Sequence, residues 1–358
     1  MGALRFLLAF CVVWSHIPSS VKLLPGDMSV QIFYAVSGFY MSLILNRNEA
    51  YRNAVIFWTQ RVYRIFPSYI VVLLLTIIYY LFLYSIDSNN EFFGILEVAE
   101  HNNWVMLTWS FSQLFIVGQD IFFFLKFNDS GNLVFSSALS SAEMPTSRLM
   151  LIPQSWTLSL ELFFYILAPF ILRRSIILIA SLCVLSACVK MGLQFFFDLS
   201  GDPWSYRFFP SEFSFFLLGA LGARFLSQIK LNPHNGIFVK YVLVAGLLVA
   251  STAVNRSGFG TLYFINPGFY LMFIILIGIP FLFRVTMNNK FDKIIGELSY
   301  PLYISHMLII SIFGSVMRVD LVENKNLIIF CAVCFSLILY LFIDRPVDKF
   351  RHQFISPR

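Results

Sequence analysis

Apolar runs long enough to cross a bilayer recur along almost the whole chain, parted by short segments in which Lys and Arg collect. A hydrocarbon core of about 30 Å asks for roughly 20 mainly apolar residues per helical span. On that measure the pattern predicts ten spanning helices, at 2–17, 29–46, 65–86, 153–172, 175–197, 207–228, 240–256, 262–284, 294–314 and 326–343. No polar stretch is long or regular enough to build a soluble core of its own. The expectation is an all-α polytopic membrane protein: a single transmembrane domain over 1–345, then a short basic cytoplasmic tail, 346–358.

The basic residues set the orientation, because cytoplasmic loops carry the excess of Lys and Arg. Arg47, Arg52, Arg61 and Arg64 fall in one loop, Arg173 and Arg174 in a tight turn, and Arg284, Lys290 and Lys293 in another. The tail adds Arg345, Lys349, Arg351 and Arg358. All lie on one side if both termini are cytoplasmic. Loop 87–103 holds Asp87, Glu91, Glu97 and Glu100 with no Lys or Arg, so it is expected outside. The stretch "WVMLTWSFSQLFIVGQDIFFFLKF", 104–127, is long enough to span. A span there would put Arg173, Arg174 and the basic tail outside. It is therefore expected to be re-entrant or to lie in the outer interface, which suits Trp104 and Trp109.

Composition agrees. The chain of 358 residues is 58% hydrophobic and 12% charged, with a mean hydropathy of +0.77; soluble domains are about 25% charged. The net charge of +6 reads as topology, not as nucleic-acid binding. Cys11, Cys183, Cys188, Cys331 and Cys334 all sit in apolar runs. One CxxC without a second pair makes neither a zinc site nor a disulfide framework, and no metal is expected. The N-terminus lacks the small-residue cleavage site of a signal peptide, so the first apolar run is expected to stay.

Ionisable residues inside spans are functional candidates by default, and they are few. Arg5 and His16 lie eleven positions apart on nearly one face of the first span, about 16 Å along its axis. Arg5 could equally snorkel to lipid phosphates while His16 sits in the outer interface. Arg61 and Arg64, three apart, share a helix face at the cytoplasmic surface, and arginine forks suit phosphate oxygens. Ser37 and Gly38 are mid-span, where glycine permits close approach of a neighbour or a ligand. Glu161 lies about two turns below the outer start of the fourth span; an ion pair with Arg5 or another arginine would also account for it. Ser299, Tyr303 and His306 share a face of the ninth span. Arg207 and Glu212 begin the sixth, and could simply anchor it.

Together these residues resemble the acyltransferase-3 family of integral membrane acyltransferases. The resemblance rests on Arg5 with His16, on "FYAVSGF" at 33–39, and on Arg61-x-x-Arg64 followed by "IFPSY". It continues through "WTLSLELFFY" at 156–165, "LSYPLYISH" at 298–306 and "IDRP" at 343–346. Thr157 stands where the family commonly has Ser, and Asp344 where it commonly has Glu. The resemblance implies transfer of an acyl group, most often acetyl, from cytoplasmic acyl-CoA to a hydroxyl of an extracytoplasmic or lipid-linked saccharide. That implies a multi-pass protein of a bacterial cytoplasmic (inner) membrane, of the type without a fused extracytoplasmic domain. Its partners would be acyl-CoA, the saccharide acceptor and membrane lipids, with no nucleic acid; a homo-oligomer is compatible with it.

On this reading Arg5, Arg61, Arg64, Ser37 and Gly38 bind the donor. His16 is the general base, with Glu161 orienting it or sharing the proton work. Arg207, Tyr303 and His306 line the path or bind substrate. A proton-coupled transporter is the competing class, since ten spans with intramembrane Arg, Glu and His would also suit a carrier.

Overall fold

The computed structural model describes residues 1–19, 23–128, 130–138, 144–199, 201–226 and 267–353. Five helical runs among them are long and apolar enough to cross a bilayer: Gly26–Arg47, Ala54–Ile86, Ile176–Phe196, Lys290–Val316 and Lys325–Arg351. Leu81, Ile177, Phe196, Phe330 and Phe342 stand exposed on their outer faces, a belt of apolar surface suited to lipid. This is a helical membrane protein. The predicted span at 240–256 and the start of the one at 262–284 lie outside the described residues.

In chain order the helices are α1 (Gly2–His16), α2 (Gly26–Arg47), α3 (Ala54–Ile86), α4 (Glu91–Glu100), α5 (Asn103–Phe115), α6 (Trp156–Ile171) and α7 (Ile176–Phe196). There follow α8 (Phe209–Leu226), α9 (Pro267–Thr286), α10 (Lys290–Glu297), α11 (Ser299–Ser311), α12 (Lys325–Leu339) and α13 (Arg345–Gln353). A π-turn extends α11 over Ile312–Val316, and another joins α12 to α13 over Tyr340–Asp344.

Two close approaches fix the bundle. Helices α2 and α8 touch backbone to backbone: a Cβ on Gly38 would stand 1.9 Å from the Phe216 carbonyl oxygen, and one on Gly219 would stand 1.8 Å from that of Ala35. Only glycine admits such contact, and the dispersion gained along the seam replaces the hydrophobic drive that lipid removes. At the start of α1, Asp292 of α10 supplies a cap that α1 itself lacks. Its carboxylate accepts from the Met1 amino group (2.7 Å) and the Gly2 (2.7 Å) and Ala3 (2.9 Å) N–H groups. A carboxylate there satisfies otherwise orphaned donors and complements the helix dipole.

Helix α3 corrects the expected boundary. It begins at Ala54, not 65, where the Asn53 side chain accepts from the Val55 N–H (2.9 Å). Its 33 residues run about 50 Å, more than a hydrocarbon core, so its first turns project beyond the bilayer. Polarity marks where the span begins but does not end a helix. Arg61 and Arg64 therefore stand on a rigid helix instead of in a loop.

The stretch 104–127 does not form one spanning helix. Helix α5 has 13 residues, about 20 Å, and stops where Ile116 and Gly118 take φ values of 69° and 82°. A 3-10 turn, Gln119–Phe123, then leads into a small antiparallel sheet of order β2-β1-β3: β1 Leu125–Phe127, β2 Leu133–Phe135 and β3 Met144–Pro145. The Trp109 indole donates to the Leu149 carbonyl (2.7 Å). The buried Asp120 accepts from the Ser159 hydroxyl (2.6 Å), tying this segment to α6; burial pushes its carboxyl above the usual range.

Candidate active site

Two cavities flank α1, one toward each of its ends. The first, about 270 Å³, opens at the end of the molecule where α1 begins. Four arginines line it: Arg5 from α1, Arg61 and Arg64 from α3, and Arg351 from α13. The expected basic tail is thus in part a helix that docks on this mouth. Arg64 is already compensated, standing 2.5 Å from Glu297 and 3.2 Å from Asp348. Arg351 shares Asp348 at 2.8 Å. Arg61 makes no ion pair among the described residues; its guanidinium lies 5.6 Å from the Phe57 ring centre and 5.9 Å from that of Tyr165. Among the described residues the Nε atoms of Arg61 and Arg351 are buried without a hydrogen-bond partner. Buried donors of this kind are rare in folded proteins and call for an acceptor.

Farther in, Glu161 lines the same cavity. Its Oε1 accepts from the Ser37 hydroxyl (2.6 Å) and from the Tyr165 hydroxyl. The i,i+4 spacing of Glu161 and Tyr165 on α6 sets up that contact. Glu161 has no ion pair with Arg5 and no contact with His16 among the described residues. Gly38, grouped with Ser37 as a donor-binding residue, faces the other way, against α8.

The second cavity, about 310 Å³, opens at the opposite end of α1. His16, Asp27, Gln154, Trp156, Tyr206 and Arg207 line it, with Phe123 on one wall. Arg207 is held bidentately by Asp202 (2.7 and 2.9 Å) and lies 3.9 Å and 4.3 Å from the ring centres of Phe123 and Trp156. A guanidinium so paired and stacked is fixed in orientation. Glu212, the other charge at the start of α8, does not join it. It is fully buried, accepting from Lys190 (2.8 Å) and from the Gln31 amide (3.1 and 3.2 Å).

Val30 and Tyr303 line both cavities. The Tyr303 and Thr157 hydroxyls are 2.8 Å apart, and each also lies within hydrogen-bond reach of the Gln154 carbonyl (3.3 and 3.0 Å).

His306 is the neighbour of His16 that the sequence did not disclose. It is fully buried, and its Nδ1 lies 2.6 Å from the Tyr303 carbonyl oxygen, which can only accept. A neutral His306 therefore carries its proton on Nδ1 and offers Nε2 as an acceptor. That Nε2 is 3.3 Å from His16 Nδ1, which is also 2.8 Å from the Val12 carbonyl. Both contacts ask His16 Nδ1 to carry a proton. The remaining nitrogen of His16, Nε2, is then a free base on an exposed side chain at the second cavity.

The described residues thus show a helical membrane bundle with an arginine-lined cavity toward one end of α1, a histidine-lined cavity toward the other, and two residues common to both. A family model described as an acyltransferase domain matches residues 1–345, and the chain belongs to that acyltransferase-3 family. No curated protein and no solved structure matches it significantly.

Proposed function

We propose that this membrane acyltransferase takes an acyl group, acetyl in the first instance, from acyl-CoA at the arginine mouth. It delivers the group to a hydroxyl of a saccharide, free or lipid-linked, at the histidine mouth. The observation that supports this most is that two differently built cavities have Val30 and Tyr303 in common in their linings. A thioester arm entering from one end and a hydroxyl entering from the other reach the same point.

The residues divide accordingly. Arg61 and Arg351, with unsatisfied donors in the first cavity, hold donor phosphates through charge-assisted hydrogen bonds. Arg5 adds positive charge, while Arg64, held by two carboxylates, braces α3 against α10 and α13. The arm passes Ser37 and Glu161. His16 Nε2 takes the proton of the acceptor hydroxyl, as a histidine near neutrality can. His306 fixes the tautomer that leaves that nitrogen free. Trp156, Tyr206 and Arg207 offer the flat apolar and donor surfaces that bind sugar rings. By the positive-inside rule the arginine mouth is cytoplasmic, as are both termini. The setting is then the cytoplasmic membrane of a bacterium.

Purified protein in lipid nanodiscs, given labelled acetyl-CoA and a lipid-linked glycan fraction, should form a labelled ester and free CoA in equal amounts. Flux of a solute across proteoliposomes with no covalent product would replace this reading with a carrier. Mass spectrometry of surface glycans with and without the protein would identify the acceptor.

A further inference from the structure

Of the two residues that line both cavities, Val30 has an apolar side chain, so the only side-chain hydrogen-bonding group between them is the Tyr303 hydroxyl. Its main chain does a second job at the same place, accepting from His306 Nδ1 at 2.6 Å and so setting the order of protons that frees His16 Nε2. One residue thus ties the base to the junction. The Tyr303 and His306 rings are 6.0 Å apart, and those of His306 and His16 are 5.0 Å apart.

Resting on the acyl-transfer reading above, we infer that the Tyr303 hydroxyl is a catalytic residue, the donor that receives the oxyanion formed on the thioester carbonyl. The balance of the step is as follows. The acceptor oxygen attacks the carbonyl carbon while His16 Nε2 takes its proton, and a C–O bond forms. The carbonyl π pair moves onto oxygen, and that oxyanion accepts a hydrogen bond from Tyr303. When the pair returns, the C–S bond breaks, and the departing thiolate takes the proton from His16. Ester and free CoA leave with no further reactant.

The hydroxyl is suited to this. A phenol donates one hydrogen bond, and its hydrogen rotates to suit its partner. In the structure it has two acceptors in reach, Thr157 Oγ1 at 2.8 Å and the Gln154 carbonyl at 3.3 Å. The longer contact is weak, and Thr157 already has its own bond to that carbonyl (3.0 Å). The Tyr303 hydrogen can therefore swing to an oxyanion without leaving Thr157 unsatisfied. Tyr303 is buried, and a donor aimed in advance at developing charge is worth far more at a buried position than in water.

The test compares Tyr303→Phe with Thr157→Val, using whole protein in nanodiscs. Removal of one oxyanion donor typically costs about 10²–10³-fold in kcat. Tyr303→Phe should lose that much with acetyl-CoA affinity changed by less than a few fold, and Thr157→Val should keep most of its turnover. A Tyr303→Phe enzyme within a few fold of the parent overturns the inference. So does a Thr157→Val loss as deep as that of Tyr303→Phe, because the hydroxyl would then only hold helices together. If Tyr303→Phe does not fold, fluorotyrosines of graded acidity at position 303 keep the ring and the donor. A graded response of kcat supports the assignment, and a flat one overturns it. A parent protein that binds acetyl-CoA but makes no ester removes the underlying reading instead.

Discussion

His306 Nε2 stands 3.3 Å from His16 Nδ1, across the seam between α11 and α1. Both imidazoles are further tied to main-chain carbonyls, His306 to Tyr303 and His16 to Val12. In the proposed mechanism His16 is the base and His306 its positioning residue. His16→Ala should lower turnover about 10²–10⁴-fold, the usual cost of losing a general base, with acetyl-CoA binding retained. His306→Ala should lower kcat and alter the pH–rate profile, because the Val12 carbonyl alone then holds the His16 tautomer and the ring packed against His16 is gone. Gln at 306, which can still present an acceptor, should restore part of the rate. Steady-state kinetics over pH 5–9 measures all three, and a His306→Ala profile superimposable on the parent's would remove His306 from this role.

The arginines of the first cavity separate by their partners. Arg61→Ala and Arg351→Ala each remove a charge-assisted phosphate contact, of about 1.5–3 kcal/mol, and should raise the Kd for acetyl-CoA accordingly. Lys at either position should rescue only in part, lacking the fork. Arg64→Ala should act more on stability, since it strips Glu297 and Asp348 of a shared partner. Isothermal titration with CoA, beside thermal unfolding in the same detergent, distinguishes the two effects.

The α2–α8 seam predicts sharp intolerance. Gly38→Ala and Gly219→Ala place a methyl inside the van der Waals radius of a facing carbonyl, and the helices must part. Overpacking costs about 1–3 kcal/mol where side chains can shift, and more where backbone must. Gly94, whose added Cβ would meet nothing within 4 Å, is the control, and its Ala variant should unfold at the parent temperature.

The fully buried Glu212 pairs with the half-buried Lys190. Glu212→Ala should destabilise by up to about 3–5 kcal/mol, because the buried carboxylate that both Lys190 and Gln31 face is lost. The double variant Glu212→Gln with Lys190→Met should recover much of that loss. Acyl transfer by the double variant should stay near the parent rate, as neither side chain lines either cavity.

Topology gives a last test. In a background free of the five native cysteines, a Cys at Asn132 should label from outside and one at Asn288 only from inside. Both positions are exposed. Labelling of both from one side would overturn the proposed orientation.

Much of this was legible because a bilayer permits so few backbone solutions. The expected limits of the first, second, fourth and fifth spans lie within a few residues of α1, α2, α6 and α7. Arg5 and His16 do mark opposite mouths, as their spacing along one helix requires. What a single sequence does not disclose is which helices touch. His306 was placed on the face of Tyr303, correctly, but its meeting with His16 depends on α11 lying against α1, and no periodicity encodes that. Glu161 was paired with His16 for the same reason, whereas its nearer partner, Tyr165, lay four residues on in the same helix and could have been read. Arg351 was hidden by being counted as tail charge. The i,i+3 pair Asp348 and Arg351 was the available sign of a helix there.

The position of Val30 and Tyr303 in the lining of both cavities has an electrical consequence. A protein that joins two aqueous mouths across a membrane risks becoming a leak for protons and cations, which would drain the cell's energy gradient. Among the described residues Val30 and Tyr303 are the two that line both cavities, so on the proposed reading water crossing from one to the other would pass them. On the proposed reading, the two residues past which an acyl group is handed over would thus serve, between turnovers, as the membrane's insulation.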